Sequence, residues 1–242
     1  MPIHRTVAAT AAATAMALAA PPSHAQRADG ETQHGPIVIS EIMYNPASRE
    51  GGYVDRDTGQ PVPTRTEWVE LYNPTDEPVG VSHWLLADED GMTGPLPAET
   101  VIEPSGVLVV SPMEVTAEEF RAAWGEGVDV VGVARWSLDG MANLANSPSP
   151  TNERLQLRDG RGKLIDEVNY DDEAGWPADS PQGPSIYVRP GHLTPGDNDD
   201  AIYWARSEVD VDGGRVINQT DVFNRADIGS PGTVVATETE AP

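Results

Sequence analysis

The architecture of this chain can be worked out from one segment, Glu67-Trp68-Val69-Glu70-Leu71-Tyr72-Asn73-Pro74. Its side chains alternate, so that Val69 and Leu71 share one face while Glu70 lies on the other, which is the period-two pattern of a half-buried strand. The Asn73-Pro74 pair ends the pattern, because proline has no N–H to give to a ladder and asparagine favours turns. The segment therefore predicts a half-buried strand.

A second apolar set follows directly after this turn. Its members are Val79, Val81, Trp84 and Leu86. The set predicts a second strand that shares a core with the first, and it predicts that Trp84 is packed between the sheets.

Several segments of the chain resemble, in the right order, those of the lamin tail domain in its bacterial, secreted form. They are residues 37–46 (IVISEIMYNP), 67–74, 81–86, 96–97 with 102–110, and 152–160, and Gly229-Ser230-Pro231-Gly232 resembles the motif that closes such domains. The resemblance implies an all-β fold, an immunoglobulin-like β-sandwich over residues 37–235 with long loops and one short helix. Residues 48–65 and 112–135 are insertions that lengthen loops.

Further apolar segments predict the rest of the sandwich. Strands are expected at residues 37–43, 101–104, 107–110, 128–134, 152–158, 163–170, 185–189 and 201–205. The sequence Asp159-Gly160-Arg161-Gly162 separates two of these strands and predicts a tight hairpin.

One short helix is expected within the second insertion. Thr116-x-x-Glu119 is a capping box, and Phe120, Ala123 and Trp124 follow it at helical spacing. Gly125 and Gly127 would end this helix.

The composition narrows the classes of function. With 23 glycines and 22 prolines in 242 residues, the chain suits many short strands and not a helical bundle. The formal charge of −24 repels phosphate backbones and anionic lipid, which argues against nucleic acid as a partner. The chain contains no cysteine, which excludes thiol catalysis and zinc–thiolate sites.

Both ends of the chain differ from the predicted domain. Residues 1–25 have the form of a cleaved signal peptide, with His4 and Arg5 before an alanine-rich apolar run and Ser23-His24-Ala25 as the cleavage site. Residues 26–36 are predicted to be a flexible lead-in, and residues 236–242 a polar tail. The pattern predicts export, and no other stretch is long and apolar enough to span a membrane.

The sequence shows no nucleophilic site. After residue 25 the histidines are His34, His83 and His192, and no serine lies in a Gly-x-Ser-x-Gly turn. His83 is expected to be a surface turn residue. The acidic run Asp171-Asp172-Glu173 near Trp176 resembles a sugar site in composition, but a solvated loop explains it better.

Tryptophans near predicted loops are a second candidate for binding. Trp136, Trp176 and Trp204 could present a stacking face to a ligand, with core or rim packing as the default interpretation.

Divalent metal is the more promising chemistry. Asp197, Asp199 and Asp200 offer hard oxygen ligands in a loop, and Asp210 and Asp212 begin a run in the register of a dockerin-type calcium loop. Gly214 and Arg215 depart from that pattern, so a tight acidic turn is the competing interpretation. Calcium is therefore predicted as a structural cofactor, if the chain has any cofactor.

Two classes of function remain open from the sequence. The preferred one is an exported, non-catalytic interaction module that binds an extracellular protein or glycan through loops of the sandwich, an inference from fold-level analogy. The alternative is a secreted hydrolase acting on phosphoesters, or an accessory module of one, because members of the family accompany secreted nucleases and phosphatases. The sequence identifies neither the ligand nor the oligomeric state.

Overall fold

The segment that predicted the first strand lies inside the larger of two packed sheets. A computed structural model describes residues 35–47, 67–136, 140–141, 144, 153–171, 175–178, 181–217 and 226–235, and also the backbone of residues 53–54, 61–62 and 220–221. The predicted signal peptide (residues 1–25), most of the lead-in and the polar tail lie outside this part of the chain. None of the described helices is long and apolar enough to cross a membrane.

The described elements are almost all short strands. They are β1 (Val38–Met43), β2 (Tyr53–Val54), β3 (Pro61–Val62), β4 (Trp68–Tyr72), β5 (Val79–Gly80), β6 (Leu85–Ala87), β7 (Val101–Ile102), β8 (Val107–Pro112), helix α1 (Ala117–Trp124), β9 (Val130–Val133), β10 (Glu153–Arg158), β11 (Leu164–Tyr170), β12 (Ile186–Val188), β13 (Trp204–Arg206), β14 (Arg215–Val216), β15 (Thr220–Asp221) and β16 (Ile228–Gly229). This pattern confirms the all-β, immunoglobulin-like prediction.

Two sheets enclose the main core. The six-stranded sheet has the order β13-β12-β1-β4-β8-β9, and the three-stranded sheet has the order β11-β10-β6. All pairs within them are antiparallel except β8 with β9, which are parallel. Side chains such as Ile39, Val69 and Val110 from the larger sheet meet Leu155 and Val168 from the smaller one, so the core lies between the sheets.

The six-stranded sheet is also covered on its outer face. Helix α1 lies there, and Phe120 and Trp124 pack on Trp68 of β4, with the two tryptophan ring centroids 5.7 Å apart. All five residues of β4 are consequently buried. The half-buried prediction for this strand was wrong, because alternation does not reveal a second covered face, and antiparallel sheets more commonly leave one face in water.

The predicted capping box forms at the start of α1. The Thr116 hydroxyl accepts from the Glu119 N–H at 3.2 Å, and Glu119 Oε2 accepts from the Thr116 N–H at 2.9 Å. The helix ends at Trp124, with Gly125 as its C-cap. The predicted hairpin is also confirmed, since β10 pairs with β11 and Asp159 Oδ1 accepts from the N–H groups of Arg161 and Lys163.

The strand predicted from Val79 to Leu86 was wrong in two respects. A turn at Ser82 and His83 divides it into β5, which pairs with β7, and β6, which pairs with β10. His83 has φ of 64°, a left-handed conformation that interrupts a strand. Trp84 beside it is only half-buried and packs at the edge of the core, so it is not the central tryptophan of the sandwich.

Three other predicted segments differ in extent. The polar loop predicted at residues 48–65 contains the paired strands β2 and β3. The strand predicted at residues 101–104 stops at Ile102, because residues 103–106 form a turn in which the Gly106 N–H donates to the Glu103 carbonyl. The segment predicted as a strand at residues 201–205 begins with a short 3-10 helix, Ala201–Tyr203, capped by the Asp200 side chain.

Candidate functional site

Two glutamates lie side by side on the outer face of the six-stranded sheet. Glu41 of β1 is the direct cross-strand partner of Glu70 of β4, and their exposed fractions are 0% and 1%. The register of these strands shifts between Ile39 and Glu41, which marks a β-bulge at Ser40. The bulge brings Ser40 to the same side as Glu70, and its hydroxyl donates to Glu70 Oε1 at 2.9 Å.

Donors from three other parts of the chain converge on Glu41. The hydroxyls of Ser185 and Ser207 donate to its Oε1 at 2.5 Å and 3.3 Å. Ser230 contributes twice, because its N–H donates to Oε1 at 2.8 Å and its hydroxyl donates to Oε2 at 2.7 Å. Both oxygens of Glu41 are therefore occupied by donors from the chain.

The same C-terminal stretch reaches Glu70. We call residues 228–235 the closing segment. Within it the Gly232 N–H donates to Glu70 Oε2 at 2.7 Å, and Gly232 adopts φ of 82°, a conformation that favours glycine. Gly229 passes so close to the sheet that an added Cβ would lie 3.0 Å from Trp68 and 3.1 Å from Glu41 Oε1. The closing segment thus rests directly on the two carboxylates.

Burial dominates the electrostatics of the pair. It raises the pKa of Glu41, and it raises the pKa of Glu70 well above its ordinary value, where the charge of Glu41 adds to the effect. Hydrogen bonds from the chain oppose these shifts only in part. Arg215 provides the nearby positive charge, yet its guanidinium donates to the carbonyls of Trp124 and Pro231. The pair therefore retains a proton at a pH where exposed glutamates have lost theirs.

An open cleft lies over this pair. It is shallow, with an interior volume of about 10 Å³, roughly the space of one water molecule. The floor is formed by Ser40, Glu41, Glu70 and Ser230, one wall by Tyr187, Val188, Pro190, Leu193 and Asp212, and the other wall by Thr233, Val234 and Val235 of the closing segment. The Tyr187 hydroxyl donates to Asp212 Oδ2 at 2.7 Å, and burial together with this bond raises the pKa of Tyr187.

Asp212 is the one predicted metal ligand that lines this cleft. Asp210 and Asp212 both have left-handed backbone conformations, with φ of 65° and 46°, in the turn before β14. Asp197 Oδ2 lies 3.4 Å from His192 Nδ1, and Asp200 caps the 3-10 helix through Ile202 N–H. Asp199 is exposed.

The predicted calcium ligands do not converge in the part of the chain that the structure describes. Among the described residues, no three His, Asp or Glu side chains are close enough together to hold a metal ion. The dockerin-type register that starts at Asp210 would continue at Asn218 and Asp221, but the backbone of Asp221 belongs to β15 and Asn218 lies outside the described residues. A calcium ion would need other oxygen ligands, so calcium stays a prediction.

The loop of Asp197, Asp199 and Asp200 is instead anchored by Asn198, which is fully buried. The Asn198 side-chain amide donates to the Ile39 carbonyl at 3.2 Å and to Asp166 Oδ2 at 2.7 Å. Asp166 of β11 also accepts from the Ile39 N–H at 2.7 Å. A carboxylate of the three-stranded sheet thus gives a hydrogen-bond partner to a backbone N–H next to the bulge in β1. Burial raises the pKa of Asp166 well above its ordinary value.

The tryptophans near loops are packing residues. Trp136 is buried and donates its indole N–H to Glu67 Oε2 at 2.9 Å. Trp204 is buried in β13 and donates to the Asn198 carbonyl at 2.8 Å. Trp176 is half-buried against Trp204, with ring centroids 5.7 Å apart. The default interpretation is confirmed, and the stacking interpretation was wrong for Trp136 and Trp204.

Other candidates from the sequence are dispersed. His83 is an exposed turn residue, as predicted, and His192 stacks on Tyr203 with centroids 4.0 Å apart. Asp171 is half-buried, while His34, Asp172 and Glu173 lie outside the described residues. Of this set, the described residues His83, His192 and Asp171 do not form part of the cleft lining.

The residues that shape the site were missed at the level of sequence, although one signal was present. In residues 37–44 the core side chains shift from odd positions (Ile37, Ile39) to even ones (Ile42, Tyr44), which marks a bulge around Ser40 and Glu41. An acid between apolar neighbours in such a strand points to a buried carboxylate. Nothing in the sequence near Glu70 distinguishes it from a solvent-facing residue.

The comparisons with known proteins agree with the fold. A model of the Lamin Tail Domain family matches residues 31–172, more than half of the chain. No curated protein and no solved structure matches the chain. The match ends before β12, β13 and the closing segment, so the donors to Glu41 and Glu70 that close the cleft come mostly from beyond it.

Proposed function

The chain belongs to the lamin tail domain family, and from this premise we propose that it is an exported, non-catalytic interaction module that binds an extracellular protein through the cleft. The lamin tail domain is an immunoglobulin-like, non-catalytic family, which supports the general class of function. The signal-peptide pattern of residues 1–25 supports export to the periplasm, the cell surface or the medium.

The observation that carries the proposal is the chemistry of the cleft lining. It combines the carboxylate of Asp212 with apolar walls above the buried Glu41 and Glu70, and the described residues that line it include no lysine or arginine. A few polar groups in a mainly apolar concave site are typical of a binding site. Such a lining favours a cationic group with an apolar stem, which a lysine or arginine side chain of a partner protein provides.

The charge of the whole chain supports the same partner. With a formal net charge of −24, the protein attracts basic surfaces through long-range electrostatics before any contact forms. This attraction increases the rate of association with a cationic partner. A neutral glycan gains nothing from this field. We therefore favour protein over glycan among the two ligand classes that the sequence left open.

The geometry gives the hydrolase alternative no support. Glu41 is fully buried, and both of its oxygens accept hydrogen bonds from serine residues. A catalytic carboxylate needs a free oxygen within reach of a substrate proton. The two glutamates serve instead to hold the closing segment that forms one wall of the cleft.

Calorimetry on residues 26–242 tests the proposal, with a trilysine peptide as the probe and with and without calcium. We expect binding that weakens in Asp212→Asn, which keeps the shape and removes the charge. Asp76→Asn is the matched control, because Asp76 is exposed on a turn outside the cleft lining. Equal affinity in the two variants, or binding of neutral glycans on an array without trilysine binding, would contradict the proposal.

A further inference from the structure

The closing segment is attached to the sheet in an unusual way. From Ser230 onward, its hydrogen bonds to other described segments are the bonds of Ser230 to Glu41, the bond of Gly232 to Glu70 and the bond that Pro231 accepts from Arg215. The Thr233 N–H bonds within the segment, to the Ser230 carbonyl. The attachment of this stretch therefore depends mainly on two buried carboxylates, and not on a ladder of backbone bonds.

The pair beneath it cannot hold two negative charges at low cost. Glu41 and Glu70 are directly opposite each other on neighbouring strands, where like charges are destabilising. The groups that face them are the hydroxyls of Ser40, Ser185, Ser207 and Ser230, the phenol of Tyr187, the carboxylate of Asp212 and the guanidinium of Arg215. Arg215 offsets one charge, and a single proton on the pair removes the other.

We propose that residues 230–235 of the closing segment form a proton-controlled strap, which is seated while the pair of Glu41 and Glu70 carries one proton and which lifts from the sheet when that proton is lost. Loss of the proton leaves two carboxylates in an environment that solvates charge poorly. Water reaches them only if the covering segment moves. Since Thr233, Val234 and Val235 form a wall of the cleft, lifting the strap changes the shape of the cleft.

The direction of the pH dependence follows from burial. The pKa of each glutamate is raised in the seated state above the value of 4.5 that it regains in water. The seated state is therefore favoured at low pH, and it loses this advantage as the pH rises from the ordinary value through the raised one. The N–H donors of Ser230 and Gly232 favour the ionised form, but burial is the larger effect.

Hydrogen exchange measured by NMR tests the strap without any ligand, so its outcome is independent of the proposed function. The protection factors of the Ser230 and Gly232 amides are measured against pH, and the protection factor of Leu71 in the central strand β4 reports global unfolding. Where Ser230 and Gly232 are less protected than Leu71, they exchange through an opening smaller than global unfolding. For one linked proton, we expect the protection factors of Ser230 and Gly232 to fall with rising pH by up to about tenfold per unit while they stay below that of Leu71.

Substitutions then assign the effect to the pair. Glu70→Gln mimics the protonated acid, can still accept from Gly232 and can donate to Ser40, so the protection factors of Ser230 and Gly232 should depend less on pH. Glu103→Gln is the control, because Glu103 is exposed, and it should behave like the unmodified protein. Protection factors of Ser230 and Gly232 that do not change with pH in the unmodified protein overturn the proposal even if the variants fail to fold. An unchanged pH dependence in a folded Glu70→Gln variant also overturns it.

Discussion

Glu41 and Glu70 face each other across β1 and β4, and both carboxylates are buried beneath one C-terminal segment. Such a pair is tolerated because donors surround it. Ser230 and Gly232 supply three hydrogen bonds to the pair, and Ser40 of β1, Ser185 just before β12 and Ser207 just after β13 supply others. The closing segment is therefore bound to the sheet through these two carboxylates.

The first prediction concerns pH. Burial raises the pKa values of Glu41, Glu70, Asp166 and Asp227 in the folded state. Their contribution to the free energy of unfolding is fully present below the ordinary carboxyl pKa and is lost as the pH rises through the raised values. Urea denaturation should therefore give a larger free energy of unfolding at about pH 5 than at about pH 9. The difference between these two free energies should be smaller in Glu70→Gln.

Exposed carboxylates provide the check on that prediction. Glu103→Gln should leave the slope of stability against pH unchanged, because this side chain is in water in both states. A protein that became steadily more stable toward alkaline pH would show that the buried acids are ionised and well solvated, contrary to this structure.

The second prediction concerns the close approach of Gly229 to the sheet. An added Cβ would lie 3.0 Å from the Trp68 ring and 3.1 Å from Ser185 Oγ. Gly229→Ala should lower the free energy of unfolding by about 1–3 kcal/mol, the usual cost of overpacking a filled site. Gly80→Ala, where no atom lies within 4 Å, should change it by less than about 0.5 kcal/mol. Equal denaturation midpoints for these variants would show that the closing segment does not rest on Trp68.

The third prediction identifies the central tryptophan. Trp68 is fully buried between the sheet and α1, whereas Trp84 is half-buried. Trp68→Ala should lower stability by about 3–5 kcal/mol, through lost burial and a cavity. Trp84→Ala should cost clearly less in the same denaturation experiment. A larger loss at Trp84 would place the principal aromatic core between the two sheets instead.

The fourth prediction concerns Asp166. Among the described residues, its Oδ1 and the Oδ1 of Asn198 are buried without a hydrogen-bond partner, although the two side chains are joined through Asp166 Oδ2. A proton on Asp166 supplies the missing donor, and so does the amide of Asp166→Asn. That variant should match the original stability at neutral pH, while Asp166→Ala should lose about 1–3 kcal/mol because the Ile39 N–H is left unsatisfied. Equal losses in both variants would contradict this account.

Much of the fold was accessible from the sequence because local patterns and tertiary structure agree in many places. The capping box at Thr116 and the hairpin at Asp159 each depend on contacts within a few residues, and both are found as predicted. His83 was predicted as a turn residue, but the division of the predicted strand at this turn into β5 and β6, which pair with different strands, was missed, because the sequence does not show which strands these two short segments pair with.

The candidate site was harder to predict for a physical reason. Burial of Glu70 depends on α1 and on a segment about 160 residues away, and neither affects the alternation around it. The sequence predicted Gly229-Ser230-Pro231-Gly232 as a closing turn. It did not predict that this turn contacts Glu41 and Glu70, because those residues are far away in the sequence. Asp212 alone was singled out beforehand, for a metal site that the described residues do not form.

The contact between Glu41 and Ser230 supports the whole account, and a double-mutant cycle measures it directly. Unfolding free energies are compared for Ser230→Ala in the original protein and in the Glu41→Met background, where an apolar side chain of similar size replaces the carboxylate. We expect a coupling of about 1 kcal/mol or more, because the Ser230 hydroxyl bonds to Glu41 Oε2 at 2.7 Å. A coupling within about 0.3 kcal/mol of zero would show that the closing segment is not seated on the buried pair.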